Sequence, residues 1–202
     1  MVNSLHAQMK NNNISDISPM HEFLMKNSDT TFVLKYESNW LVAPEYLIIS
    51  KKGDTITAYT YKSNPGIDKR IILPHSIAYA LYKRNKFDIM KAAVDINFYF
   101  NPIYFPQDTL KMFWNSIMDV SPFKIKDDTI EGKGCPIMNN KNQKRIDDGG
   151  GIALDLITKE GTKRLSFYAP EFFEEVCPGR NGRKSIITIS KLFTRLFKEN
   201  MN

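Results

Sequence analysis

Gly179 to Ser185, with the sequence GRNGRKS, is the segment of this chain best suited to hold an anion. It brings Arg180, Arg183 and Lys184 together close to the start of a predicted helix. The first backbone N–H groups of a helix have no partner within the helix, and together with the helix dipole they attract negative charge. We therefore expect these three side chains to form a solvent-exposed anion-binding patch; the alternative is a basic, glycine-rich turn between two helices.

This segment is not a Walker loop, because that motif needs four residues between its first glycine and Gly-Lys-Ser/Thr. Gly179-Arg180-Asn181-Gly182 resembles instead the GXXG loop that joins two helices in KH RNA-binding domains. Pro178 stands where those domains usually have an aliphatic residue, and no strand follows the second predicted helix. The resemblance implies a nucleic-acid-binding protein, which is one alternative for the function.

The two cysteines, Cys135 and Cys177, each precede a proline in a loop-like segment. In an exported protein two such cysteines most simply form a disulfide, and closing a loop of about 40 residues would stabilise the fold by about 4 kcal/mol in the chain-entropy model. We therefore predict a disulfide between Cys135 and Cys177. The alternative is a pair of reduced thiols in a cytoplasmic protein. Neither cysteine lies in a Cys-His catalytic motif.

Other residues that could do chemistry form no recognisable set. Asp147 and Asp148 precede three glycines without the alternating spacing of a calcium loop, so we expect a turn there and no metal site. The three histidines include no His-x-x-x-His pair, and no serine lies in a Gly-x-Ser-x-Gly elbow. We expect no cofactor and no catalytic residues. A hydrolase with a dispersed carboxylate site is the alternative, because glycosidase carboxylates need not be close in sequence.

The composition suits one soluble domain with a substantial core. Of the 202 residues, 42% are hydrophobic and 12% aromatic, and no stretch approaches the run of about 18 apolar residues that a membrane-spanning helix needs. The net charge of +6 weakly favours anionic partners. Val2 to Gln8 (VNSLHAQ) is typical of the end of a secretory signal peptide, so we expect a periplasmic or extracellular protein. A disordered terminus of a cytoplasmic protein is the alternative.

Two segments are predicted to form β-hairpins. Leu47 to Tyr61 and Leu154 to Tyr168 each have apolar runs on both sides of a turn that contains Lys, Gly and Thr. They share four residues, which makes duplication of a sheet-and-helix unit a hypothesis: Leu47/Leu154, Lys52/Lys159, Thr55/Thr162 and Tyr61/Tyr168. A strand predicted at Thr30 to Glu37 makes a meander with the first hairpin.

Proline positions and apolar spacing predict the helices. They are Pro19 to Lys26 behind the N-cap Ser18, a segment opened by Pro74, Pro106 to Met118, Pro170 to Val176, and Lys184 to Lys198. Pro102 marks Asp95 to Phe105 as an edge strand or a break. The polar segment Ser121 to Gly151 is predicted to be a long loop with at most one short strand, Phe123 to Lys126.

These elements predict an α+β fold in which antiparallel hairpins carry helices on one face, with two related halves if duplication occurred. Residues 1–17 are expected to be a disordered N-terminus and residues 18–202 a single domain. That domain would consist of two lobes, residues 18–120 and 150–202, if the polar loop at 121–151 separates them.

For function, we expect an exported bacterial protein that acts by binding a macromolecule, with toxin neutralisation (an immunity protein) or enzyme inhibition as the specific role. The aromatic segment Asn97 to Phe105 has more large rings than one sheet face normally hides, and an exposed ring is suited to protein contact. We therefore predict Tyr99, Tyr104 and, in the polar loop, Lys141 as protein-contact residues.

Overall fold

A computed structural model describes residues 19–37, 45–62, 74–76, 79, 100–132, 146 and 149–198. Its strands are β1 (Thr30–Glu37), β2 (Glu45–Lys52), β3 (Thr55–Lys62), β4 (Phe100–Ile103), β5 (Gly151–Thr158) and β6 (Gly161–Tyr168). They form one antiparallel sheet of six strands in the order β4-β3-β2-β1-β5-β6. Strands from both proposed lobes therefore lie in the same sheet, with β1 between the two hairpins.

The helices are α1 (Pro19–Asn27), α2 (Gln107–Asp119), α3 (Asp128–Glu131), α4 (Pro170–Val176) and α5 (Asn181–Lys198), with a 3₁₀ turn at Pro122–Lys124. Helices packed on an antiparallel sheet confirm the predicted α+β fold. The last helix begins three residues earlier than its apolar spacing predicts, because Asn181, Gly182 and Arg183 are already helical.

Both predicted hairpins are confirmed, but their turns do not superpose with the shared residues. Lys52 pairs with Thr55 beside the first turn, whereas Thr158 pairs with Gly161 beside the second. Superposing the turns therefore places Lys52 on Thr158 and not on Lys159. The four shared residues fall one position out of register, so they lend no support to duplication.

The core occupies both faces of the sheet, because successive residues of a strand point to opposite sides. Phe32 and Leu34 of β1 belong to the larger cluster, under α2 and α5, while Val33 between them belongs to the smaller cluster, under α1. The sequence predicted helices on one face of the sheet only. In the structure, α1 packs on the second face. The inward faces of α2 and α5 consist of buried apolar residues at helical spacing: Leu110, Phe113, Trp114, Ile117, Ile186, Ile189, Phe193, Leu196 and Phe197.

The sequence allows at most one short strand in this segment, at Phe123 to Lys126. No strand forms there, and the segment instead covers the edge of β6. The ammonium of Lys163 donates to the carbonyls of Phe123, at 3.1 Å, and Ile125, at 3.0 Å, so these carbonyls accept from a side chain and not from a strand. The following carboxylates of Asp127 and Asp128 accept from the β6 backbone N–H groups of Ser166 and Tyr168, at 3.1 and 3.2 Å. This cover removes donors with which another strand could pair.

Gln107, the first residue of α2, covers part of the other edge. β4 pairs with β3 only as far as Ala58, and the side-chain amide of Gln107 continues the pairing at Ile56. Its Oε1 accepts from the Ile56 N–H at 3.3 Å and its Nε2 donates to the Ile56 carbonyl at 2.9 Å. The side chain thus makes the two hydrogen bonds that a strand residue would make.

We expect Gln107→Ala to lower the free energy of unfolding by about 1–2 kcal/mol, because both backbone groups of Ile56 lose their partner. Urea denaturation measures this change through the transition midpoint at constant slope. Lys111→Ala, at an exposed position of the same helix, is the control and should change stability by less than about 0.5 kcal/mol. Equal effects of the two substitutions would mean that the Gln107 hydrogen bonds contribute nothing.

Candidate functional site

Arg183 is not part of an exposed patch, so that expectation is wrong for this residue. Only 4% of it is exposed, because its position in α5 faces α3 and α4. Its Nε donates to Asp128 Oδ1 at 2.8 Å, and its guanidinium lies 5.2 Å from the centre of the Phe173 ring. An ion pair and a cation–π contact therefore hold the side chain inside the fold.

The other two basic residues of the segment remain closer to solvent. Lys184 is exposed, with its Nζ 3.8 Å from Glu174 Oε1, and Arg180 is partly exposed. The N-terminus of α5 already holds a carboxylate of the chain itself, since Glu131 Oε2 accepts from the Gly182 N–H at 2.9 Å. Anion binding by Arg180, Arg183 and Lys184 stays a prediction, and Arg183 would have to leave Asp128 to contribute.

The GXXG resemblance does not extend to the structure. Asn181 and Gly182 lie inside α5 and not in a loop. Gly182 also packs directly on the backbone, because a Cβ added there would lie 1.9 Å from the Lys126 carbonyl oxygen. The second glycine therefore serves a close approach between α5 and the segment before α3.

A network around a buried carboxylate, which the sequence did not reveal, joins α1 to the sheet. His21 Nε2 lies 2.9 Å from Asp155 Oδ2, and Arg164 contacts both oxygens of the same carboxylate at 2.6 and 2.9 Å. Asp155 is opposite Arg164 in the β5–β6 ladder and is only 4% exposed. One signal was available, since Asp155 is the only charged residue in the apolar run GIALDLIT, and a buried charge requires partners.

The network holds the Asp155 carboxylate in its charged form. Burial raises the pKa of this carboxyl, but the hydrogen bonds from Arg164 and His21 lower it more strongly, to about 2. Burial also raises the pKa of the neighbouring Tyr46 hydroxyl. A carboxylate bonded through both oxygens is a structural acceptor, and we assign the network to fixing α1 on the sheet.

An open groove lies at the end of the sheet, and we call it the sheet-end groove. The Tyr36 hydroxyl is at its centre, 2.9 Å from Ser190 Oγ and 2.8 Å from Thr194 Oγ1 on α5. One part of the groove, about 670 Å³ in volume, lies beside the cations of α5 and Glu171 of α4. A second part, about 430 Å³, continues from Tyr36 and Glu171 to Glu37. Charges of both signs therefore line the groove.

Of the predicted protein-contact residues, only Tyr104 lies within the described part of the chain, where it follows β4 with 87% of its surface exposed. Tyr99, Lys141 and Cys135 lie outside the described residues, as do Asp147 and Asp148. Cys177, which follows α4, is buried. Its disulfide with Cys135 stays a prediction.

Among the described residues, no group of three or more His, Cys, Asp or Glu side chains is arranged to hold a metal ion. In that part of the chain no helix combines the length and the apolar character needed to cross a membrane.

No protein-family model matches the sequence, and no curated protein matches it.

Proposed function

We propose that this protein acts by binding another protein, and that it is an exported bacterial protein that neutralises a toxin or inhibits an enzyme. The observation that carries the proposal is the exposure of Tyr104 beside two buried aromatic residues. Phe100 is 3% exposed and Phe105 is 4% exposed, whereas Tyr104 is 87% exposed. Tyrosine combines a large apolar ring with a hydroxyl group and is enriched at protein interfaces.

The fold presents Tyr104 on a rigid support. Phe100, at the start of β4, packs against Tyr61 with ring centres 5.1 Å apart. On the other side, Phe105 meets Phe197 of α5 edge to face at 6.0 Å. Because the backbone is anchored on both sides, ordering the tyrosine in an interface costs little conformational entropy. Such a ring is suited to be an anchor residue of the contact.

We expect Tyr104→Ala to reduce retention of the partner at least about tenfold, because anchor residues of an interface typically contribute 2 kcal/mol or more. The measurement is capture of proteins from an envelope extract of the source cell on immobilised wild type and variant. Tyr79→Ala, a substitution of another exposed tyrosine that is 50% exposed, is the matched control and should retain the partner. Both variants should keep the wild-type melting temperature.

Two results would contradict the proposal: no protein retained by the wild type, or equal retention by the Tyr104 and Tyr79 variants.

A hydrolase is the second candidate function. It is favoured by one observation: Glu37 and Glu171 border the same part of the sheet-end groove. A hydrolytic activity of the wild type that is lost in Glu171→Gln would replace the binding proposal with this one.

A further inference from the structure

The exposed face of α5 is a stripe of cations. Lys184, Lys191, Arg195 and Lys198 recur every three, four or seven residues, so they lie on one side of the helix, opposite its buried apolar residues. We call these four residues the α5 stripe. At a rise of 1.5 Å per residue it extends over about 21 Å. The helix contains no acidic residue that would balance these charges within it.

The positive charge of the three lysines of the stripe is available to a partner. Lys184 is 59% exposed, and its Nζ is as far as 3.8 Å from Glu174. Lys191 and Lys198 are exposed and form no ion pair within the described residues. Like charges one helical turn apart destabilise a helix slightly. The helix dipole favours the two cations in the last turn, Arg195 and Lys198. It does not account for Lys184 and Lys191, which lie earlier in the helix.

The charges that line the sheet-end groove favour one kind of anionic partner over another. Lys191 and Lys198 line the groove from α5, and Glu171 lines it from α4, with Glu37 farther along. A nucleic-acid backbone carries a uniform negative charge and would be repelled by Glu171, whereas the charge of Glu37 is paired with Lys35 at 3.3 Å. A protein segment can place carboxylates against α5 and a cation or hydrogen-bond donor against Glu171.

We propose that the α5 stripe, with the sheet-end groove beside it, docks an acidic segment of a partner protein. This inference rests on the proposed function, because it gives the chemistry of the partner. The docking segment carries Asp or Glu residues spaced to face Lys191 and Lys198, and the overall charge of +6 adds a long-range attraction to it.

The probe for the test is a labelled Glu-rich peptide of about 15 residues, long enough as a helix to span the stripe. We expect the double variant Lys191→Glu/Lys198→Glu to bind this peptide about tenfold more weakly than the wild type at low salt, and added salt to weaken wild-type binding. Lys26→Glu/Lys52→Glu is the control. It changes the net charge equally, at exposed positions outside α5, and should weaken binding by no more than about twofold.

Equal losses in the two double variants would overturn the inference, because net charge alone would then explain the binding. Tighter binding of a DNA duplex of the same span than of the peptide would also overturn it, in favour of a nucleic-acid interface. Lys191→Gln/Lys198→Gln, which removes the charges without reversing them, keeps the test valid if the reversal variant melts early. It should weaken peptide binding in the same direction.

The capture experiment separates this inference from the proposed function. If Tyr104→Ala loses the captured partner while the stripe variants retain it, the inference fails and the proposed function stands. If the wild type captures no protein but binds the acidic peptide through the stripe, the proposed function fails and the stripe remains an acidic-segment site.

Discussion

Replacing Gly182 with alanine is expected to lower the free energy of unfolding by about 3 kcal/mol, the upper part of the range for overpacked sites. The added Cβ would lie 1.9 Å from the Lys126 carbonyl oxygen and 3.1 Å from Glu131 Oε2. The nearest of these atoms belongs to the backbone and cannot rotate away. The start of α5 must therefore move away from Lys126.

That movement would affect two further contacts. The Gly182 N–H would separate from the Glu131 carboxylate, now at 2.9 Å. Arg183, the next residue, would separate from Asp128, now at 2.8 Å. The second loss is the larger one, because Arg183 is buried and would keep its charge without a partner.

The sign of the effect makes the Gly182 prediction informative. Within a helix, alanine is intrinsically more favourable than glycine by about 1 kcal/mol. Helix propensity alone therefore predicts stabilisation, whereas the close approach to Lys126 predicts destabilisation. Urea denaturation compares the variant with Thr188→Ala, a substitution at an exposed position of the same helix, where propensity should dominate. A Gly182→Ala protein at least as stable as the wild type would show that α5 does not approach Lys126 so closely.

The parts of the fold that follow from local patterns could be predicted. The inward-facing apolar residues of α2 and α5 recur at helical spacing, which predicted both helices, and these residues are buried. Both hairpins alternate around short turns, so the strands on each side are local consequences of the sequence. Pro102 predicted an edge strand or a break, and the first alternative holds, since β4 is the outermost strand on its side of the described sheet.

The surroundings of the charged residues could not be predicted, because they depend on contacts between distant parts of the chain. Arg183 resembles its exposed neighbours in sequence, and its burial is decided by Asp128, 55 residues earlier. His21 and Asp155 are 134 residues apart. The hairpin turn does bring Arg164 opposite Asp155. The contact between these two residues could therefore be predicted from the strand register.

Asp155→Asn is expected to lower the free energy of unfolding by about 2 kcal/mol at neutral pH, as for the loss of hydrogen bonds to a charged group. The substitution removes the charge that Arg164 and His21 share, while its amide keeps nearly the same volume. Both of these partners would then lie beside a neutral group. Because His21 belongs to α1, amide hydrogen exchange in α1 should increase more than in α5.

The pH dependence of stability gives an independent measurement of the same carboxylate. The pKa of Asp155 is about 2 in the folded protein, below the ordinary value of 3.8 for this carboxyl. A lowered folded-state pKa contributes stability that is fully present above the unfolded value and is lost as the pH falls through the folded value. Between neutral pH and pH 2 the wild type should therefore lose about 2 kcal/mol from this group, and Asp155→Asn should lack this part of the loss.

Asp29→Asn is the matched control for Asp155→Asn. The carboxyl of Asp29 also has a lowered pKa, because it accepts a hydrogen bond from Lys159, but this pair lies at the surface. Water and salt screen such a pair, so the control should destabilise the protein far less and leave the acid dependence nearly intact. If the two variants behave alike, burial adds nothing to the Asp155 network. In that case α1 is held on the sheet by its apolar residues, Met20 and Leu24, and not by its charges.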